Sequence, residues 1–454
     1  MLSPSNRLLL YTGLIGMPLF TVLGMMGVSL PLMAGVGLLL GLLAALDAPS
    51  ALQTLNRVGV KFPDLVRTTK GREFEIDVLL TNPGKICRSL RIGLSFPPEL
   101  RSQAMILDMK LSRESESHQV RWKVKAMERG NYLFQRCHLE GISRLGLWHG
   151  RKTLPCRCEV RVYPDLSRER DVLAPLFFRR GAIGVHHVRQ IGKGREFEQL
   201  REYAPGDGYE DVYWKGTAKR RFPVTKMFQM ERTQEVYVAI DASRRSARRL
   251  DRLTEEEEED ADFIAKTQLE RFIQATLVLA LAAEQQTDKF GLIIFSDKVH
   301  RIIPAGGGRS HYDTIREVLY SLEPRVVSPD YDDVFIHIGN RLRHRGLLLF
   351  LTDLGEPWLA ESFVEGVSLI SRRHVVLTHM LGQREVAPMF TRGDRVETDD
   401  ELYGKLAGQL MWNDFQETTR LLKQRGVHLT SSLQENLVAD VVSEYLRVKK
   451  RQLI

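Results

Sequence analysis

The chain is poor in cysteine, with four in 454 residues at Cys87, Cys137, Cys156 and Cys158. That is too few for a disulfide scaffold. Cys156-x-Cys158 lacks the C-x-x-C spacing of common zinc ribbons, and the alternation around Cys158 suggests a strand carrying a small buried residue. Catalytic signatures are missing too. There is no G-x-S-x-G elbow, and the histidines, His186-His187 among them, show no H-E-x-x-H spacing. Gly306-Gly307-Gly308-Arg309-Ser310 misses the G-x-x-x-x-G-K-[ST] spacing of a phosphate loop and reads as a flexible turn. These absences argue against an enzyme.

Charge is absent from one stretch. Leu8 to Leu46 holds no Asp, Glu, Lys, Arg or His over 39 residues, roughly twice one bilayer crossing. Val28-Ser29-Leu30-Pro31 interrupts it, and proline favours a turn there. The expectation is a transmembrane hairpin of Leu8–Gly27 and Leu32–Leu46, the second extended by Leu30 or Ala48. The run is too long for a cleaved signal peptide. Arg7 precedes it and Arg57, Lys61, Arg67 and Lys70 follow it, while its turn is uncharged. Cationic flanks stay cytoplasmic, so both ends should face the cytoplasm, with the lipid bilayer as one partner.

What is present is a globular composition. The apolar fraction is 43% and the aromatic fraction 8%, which excludes global disorder. The length suggests two or three domains. Net charge is +8, too modest to select among nucleic acid, an anionic membrane and an acidic protein.

From Lys61 to Pro164 the hydrophobic period is two: Phe74, Ile76, Val78 and Leu80 alternate with polar residues, as do Leu90 to Phe96, Val120 to Ala126 and Cys158 to Val162. About seven strands over about 100 residues suggest an immunoglobulin-like sandwich, read as a spacer or docking module. After Glu235 the pattern changes. Apolar strands (Val236–Ile240, Phe290–Phe295, Leu347–Leu351, Val375–Leu381, Val427–Thr430) alternate with helical stretches (Lys266–Gln286, Tyr312–Leu322, Val334–Leu342, Trp358–Ser371, Leu402–Gln424, Leu437–Lys449). Such alternation predicts a doubly wound, mainly parallel sheet. Ligands lie at the carboxyl ends of its strands. Asp241, Ser296-Asp297 and Thr352-Asp353 each follow a strand, so they should gather on one edge. The expected organisation is a hairpin over 1–50, a β-sandwich over 58–165, a connecting segment over 166–233 and an α/β domain over 234–454.

The connection carries "GREFEQLREYAPGDGYEDVYWKGTAKRR". Pro205-Gly206-Asp207 reads as a turn and Trp214 as a buried anchor. Arg201, Asp207, Lys215 and Lys219 suggest an ion-pair network or a phosphate-binding face. "EEEEED", Glu255 to Asp260, reads as a solvated insertion, with docking to a basic partner as the sharper alternative.

These segments resemble a bacterial group of membrane-anchored proteins, "domain of unknown function 58". The resemblance rests on Glu196, Phe197, Leu200, Arg201, Tyr203, Pro205, Gly206, Asp207, Trp214, Lys215 and Ala218. "ERGNYLFQRCHLEGISRLGLW" is similar to the segment that ends the family's β domain. An arginine usual between Gly-Asp and Trp is replaced by Tyr209-Glu210-Asp211. The resemblance implies a von Willebrand factor A-like α/β domain, an inner-membrane location with cytoplasmic domains, and partnership with a MoxR-type AAA+ ATPase acting on other membrane or client proteins.

A von Willebrand A metal site begins D-x-S-x-S and adds a threonine and an aspartate from other loops. Here Asp241 and Ser243 fit, but Arg245 holds the second serine position. A guanidinium has no lone pair for a metal. The threonine loop should fall at "SPDYDDVF", which offers Asp330, Asp332 and Asp333 but no threonine; Asp353 fits the last place. Ser246 or Asp330 are the available substitutes. Asp241, Ser243 and Asp353 would be the ligands of any Mg²⁺, yet the expected state is metal-free, with Arg245 paired to Asp241 or Asp353 and the edge (with Ser296 and Asp297) binding protein. The rivals are an Mg²⁺-dependent adhesive receptor, a basic surface at Arg168–Lys226 for nucleic acid or anionic lipid, and a hydrolase, against which no nucleophile stands beside a base. Specific nucleic-acid binding is not expected.

Overall fold

The computed structural model of the chain describes all residues except 28, 84–86, 88, 113–114, 168–190, 193–195, 205–207, 210–211, 230–233, 251–266, 384, 389–397 and 452–454. The Pro205-Gly206-Asp207 turn, His186-His187, most of the Arg168–Lys226 connection's first half and the Glu255–Asp260 run therefore lie outside the described residues. Two compact units emerge, one holding Met1–Asp165 and the other Leu166–Leu253 with Ala265–Ile454.

In the first unit, α1 (Asn6–Met25) and α2 (Leu30–Asn56) are both long and apolar enough to cross a membrane. Gly27, at φ +72°, makes the turn between them, and Pro31 sits in the first turn of α2, where its missing N–H leaves no bond unmade. The second helix is longer than expected. It runs past Leu46 and through Pro49 to Asn56.

The reason is a dock onto a β-sandwich. Ten strands build two sheets: β1 (Leu2–Pro4), β3 (Leu65–Thr69), β5 (Ser89–Leu94), β7 (Ile106–Lys110), β9 (Gly130–Ile142) and β10 (Trp148–Tyr163) in one, and β2 (Gly59–Lys61), β4 (Glu73–Thr81), β6 (Leu100–Ser102) and β8 (Ser117–Ala126) in the other. Alternate residues such as Ile76, Val78, Leu80, Trp122, Val124 and Cys158 fill the space between. Asp47 on α2 is buried; it accepts hydrogen bonds from Ser143 Oγ at 2.5 Å and Leu145 N at 3.1 Å. Trp148 Nε1 donates to Ala44 O at 2.8 Å. Ala51 and Leu55 pack so closely that a Cβ at Gly150 would stand 2.9 Å from Ala51 O, and one at Gly141 2.9 Å from Leu55 Cδ2. The strand before α1 also pairs with β10, Leu2 opposite Gly150. Both ends of the helical hairpin are thus fastened to one β-hairpin. The Ser143–Trp148 turn, which the sequence marks as a motif, supplies the fastening.

The second unit begins with β11 (Ile191–Gly192), β12 (Glu196–Glu202), α3 (Trp214–Arg220) and β13 (Val224–Gln229), a three-stranded sheet with a short helix. Trp214 is not the anchor expected from its size: it is 57% exposed and rests against Tyr209, ring centroids 5.4 Å apart. Lys226 Nζ lies 5.0 Å from the centre of the Tyr213 ring.

A six-stranded sheet follows, in the order β16-β15-β14-β17-β18-β19, from β14 (Glu235–Asp241), β15 (Lys289–Phe295), β16 (Val299–Gly306), β17 (Leu347–Leu351), β18 (Val375–Leu381) and β19 (His428–Ser432). All neighbours are parallel except β16, an antiparallel edge. One face carries α4 (Gln268–Gln285), α5 (Arg309–Leu319) and α10 (Leu437–Lys450) over a core including Val238, Ile240 and Leu349. The other carries α6 (Tyr331–Arg341), α7 (Pro357–Gly366), α8 (Ser368–Ser371) and α9 (Asp399–Gln424) over a core including Ala239, Ile293 and Phe350. Burial on both faces is why these strands are continuously apolar. The register sets Asp241 opposite Phe295 and Ile240 opposite Leu351, so the residues after β14, β15 and β17 meet at one edge.

Candidate functional site

That edge is a buried polar network beside an ion pair. Asp241 is fully buried at the end of β14. Its Oδ1 accepts the Ser243 N–H at 2.8 Å and its Oδ2 accepts the Thr352 hydroxyl at 2.7 Å. Since Thr352 donates to Asp241, the Tyr331 hydroxyl, 2.8 Å away, donates to Thr352. Burial pushes the Asp241 carboxyl above its ordinary value against the lowering hydrogen bonds from Ser243 and Thr352. Burial, with Asp241 nearby, pushes the Tyr331 phenol well above its usual range.

Ser243 caps the short helical turn Arg244–Ala247, accepting from Arg245 N at 3.4 Å. That turn swings Arg245 away from Asp241. Its Nη2 lies 2.9 Å from Asp353 Oδ2 and its Nη1 2.7 Å from Glu356 Oε1. Of the two partners anticipated for Arg245, Asp353 is the one it meets; Glu356 is a second that the sequence did not suggest. Trp358 Nε1 donates to Glu356 at 2.7 Å and Gly355 N to Asp353 at 2.9 Å, so both carboxylates are held for the guanidinium.

The remaining candidates take structural positions. Ser246 Oγ donates to the Asp241 backbone carbonyl. Asp330 caps α6, accepting the Asp333 N–H at 3.1 Å. Ser296 is buried, and its Oγ lies 2.8 Å from Asp297 Oδ1 and 2.6 Å from His300 Nε2. The hydroxyl proton goes to Asp297, so His300 Nε2 donates to Ser296 Oγ and is not a base toward it. Burial, aided by Arg325, lowers the His300 imidazole. Ser296 is also 0% exposed, and a substrate has no path to its oxygen in this conformation.

The donor set does not fit a divalent cation. Mg²⁺ demands near-octahedral oxygen ligands. Here a fixed cation occupies Asp353, Asp330 serves a helix, Ser246 serves the backbone, and both Asp241 oxygens hold protein donors. Among the described residues no group of three or more His, Cys, Asp or Glu could hold a metal ion.

Of the connecting-segment residues, Arg201 lies on β12, Tyr203 follows it with its N–H bonded to Pro223 O at 2.9 Å, and Trp214 and Lys215 open α3.

Residues 199–400 match the family model described as "Protein of unknown function DUF58". No curated protein matches the chain. Among solved structures, an aerotolerance-related membrane protein from Bacteroides fragilis is 15% identical, covering 47% of this chain and 99% of its own, at a TM-score of 0.25. An uncharacterised membrane-spanning protein from Vibrio fischeri is 13% identical, covering 47% and 99%, at 0.18. Proximal thread matrix protein 1 from the mussel byssus is 13% identical, covering 46% and 45%, at 0.24. At these scores the likenesses decide nothing about fold or function.

Proposed function

For a chain whose residues 199–400 match the DUF58 family model, we propose a membrane-anchored protein-binding role with no chemistry of its own. Its α/β unit is read as a von Willebrand A-like domain whose metal site has given way to an internal ion pair. Its partner is a MoxR-type AAA+ ATPase, working with it on the assembly or maturation of other protein complexes. The soluble parts lie on the cytoplasmic side of a bacterial inner membrane, in keeping with the cationic flanks of the hairpin.

The observation that carries this reading is the bridge from Arg245 to Asp353 and Glu356 at the carboxyl edge of the sheet. A ligand-binding edge in a parallel sheet keeps its position when its chemistry changes. Here the cation is covalently part of the chain, so recognition needs no bound ion. A salt-bridged, tryptophan-backed edge suits another protein's surface better than a small substrate.

The test is co-purification of the full chain, solubilised in mild detergent, with a co-expressed MoxR-type ATPase. Capture that is lost in Asp353→Lys supports the reading. Clean isolation of the chain without the ATPase counts against it, and so does capture indifferent to the edge. Turnover of a small molecule by the purified chain would exclude the non-enzymatic part.

A further inference from the structure

Beside the sheet edge, a cavity of about 470 Å³ opens between α7 and α9. Val364, Met380, Phe415 and Leu429 give it an apolar floor. Met411 and Leu421, 40% and 41% exposed, add apolar lips. Its walls are acidic. Glu361 and Glu365 stand one turn apart on α7, and Asp414 and Glu417 one turn apart on α9.

These four carboxylates are exposed, and none has a basic partner among the described residues. Like charges one turn apart destabilise a helix, and each wall carries such a pair. The surplus is local, because the chain as a whole carries a net charge of +8. An acidic rim around an apolar floor repels phosphate and lipid headgroups, and it attracts a cation that also carries apolar side chains. Arg248 and Arg425 also line the cavity, and they disfavour a ligand that is basic along its whole length.

We propose that this groove binds an amphipathic basic segment of a partner protein, its apolar side chains on the floor and its Lys or Arg side chains against the two acidic walls. The inference rests on the protein-binding reading above and supplies the chemistry of the partner.

The test uses the full chain in zwitterionic nanodiscs, with empty discs as the reference. The probes are a short fluorescein-labelled leucine–lysine peptide and its leucine–glutamate counterpart, read by anisotropy. The lysine peptide should bind saturably and the glutamate peptide should not. The double variant Glu361→Lys with Glu365→Lys should weaken lysine-peptide binding about tenfold or more. Thr418→Trp, which fills the groove without changing its charge, should weaken it as well. Equal binding of both peptides, no binding, or affinity indifferent to both variants overturns the proposal. So does self-association of the chain that the lysine peptide does not compete. Capture of the ATPase is measured on the same variants. Absence of lysine-peptide binding to the unsubstituted chain, with ATPase capture intact, sinks the groove and leaves the sheet-edge reading standing; failed ATPase capture with peptide binding intact does the reverse.

Discussion

Arg245 and Asp353 lie 2.9 Å apart although 108 residues separate them, one in the loop after β14 and the other in the loop after β17. The arginine brings its charge to the aspartate. Asp353 is 4% exposed, and a carboxylate so buried needs a partner. The pair therefore does for the sheet edge what a cation would do, and it fixes the loops after β14 and β17 against each other.

Removing the guanidinium should expose that dependence. Arg245→Ser restores the D-x-S-x-S pattern but strands a buried charge, a loss of about 3 kcal/mol. The melting temperature of the detergent-solubilised chain should fall, and millimolar Mg²⁺ should recover part of the loss in the variant while leaving the parent unmoved. A parent protein stabilised by Mg²⁺ would refute the charge-replacement account.

The Tyr331–Thr352–Asp241 chain makes a second prediction. Thr352→Val keeps the side-chain shape but deprives buried Asp241 of a donor, and it should cost about 2 kcal/mol. Tyr331→Phe should cost about 1 kcal/mol. Because both act through one hydroxyl, the double variant should lose less than the sum of the two. Urea unfolding of the three variants measures it, and strict additivity would mean the two contacts are independent.

Acid sensitivity should trace to His374. Burial, with Arg373 and Arg345 nearby, drives its imidazole down to about 4, and its Nδ1 accepts the Gly346 N–H at 3.3 Å. The unfolded chain binds this proton near the ordinary 6.5 and the folded chain does not. Stability from the neutral ring is therefore complete above 6.5 and is lost as pH falls toward 4, by on the order of 3 kcal/mol. His374→Asn retains an acceptor for Gly346 and should flatten the pH 5–6.5 portion of a melting-temperature profile. An unchanged slope there would assign the effect to another group.

Much of the fold could be read because burial writes itself into periodicity. Val375–Leu381 is a strand with the bounds its apolar run suggests. The edge strand β16 was missed because only Ile303 of its eight residues is buried, so its sequence shows no clean alternation. Trp214 misled because size argues for burial only on average. At the site, Asp241, Ser243, Arg245 and Asp353 stood out from spacing, whereas Glu356 and Tyr331 did not. Their roles come from contacts with residues far away in sequence, which no local pattern encodes. A carboxylate three residues after Asp353 and two before a tryptophan was the one available signal for Glu356.

The extension of α2 was illegible for the same reason, and it carries the last prediction. Asp47 and Pro49 both argue that a membrane helix ends near residue 48, yet it continues to Asn56 because the sandwich receives it. Ser143 and Leu145 satisfy the carboxylate, and Gly150 leaves room for the Ala51 backbone. Gly150→Val puts a side chain where a Cβ already stands 2.9 Å from a carbonyl oxygen, so helix and sheet must separate. The strain should cost about 2 kcal/mol. The core of the sandwich takes in Leu55 from this seam but is otherwise built from the strands, Trp122 and Ile76 among them, and should stay folded. Limited trypsin digestion in detergent should then cut at Arg57 far faster in the variant, releasing the hairpin from an otherwise resistant β unit. Equal cleavage in parent and variant would show that the seam is not what holds the hairpin to the sandwich.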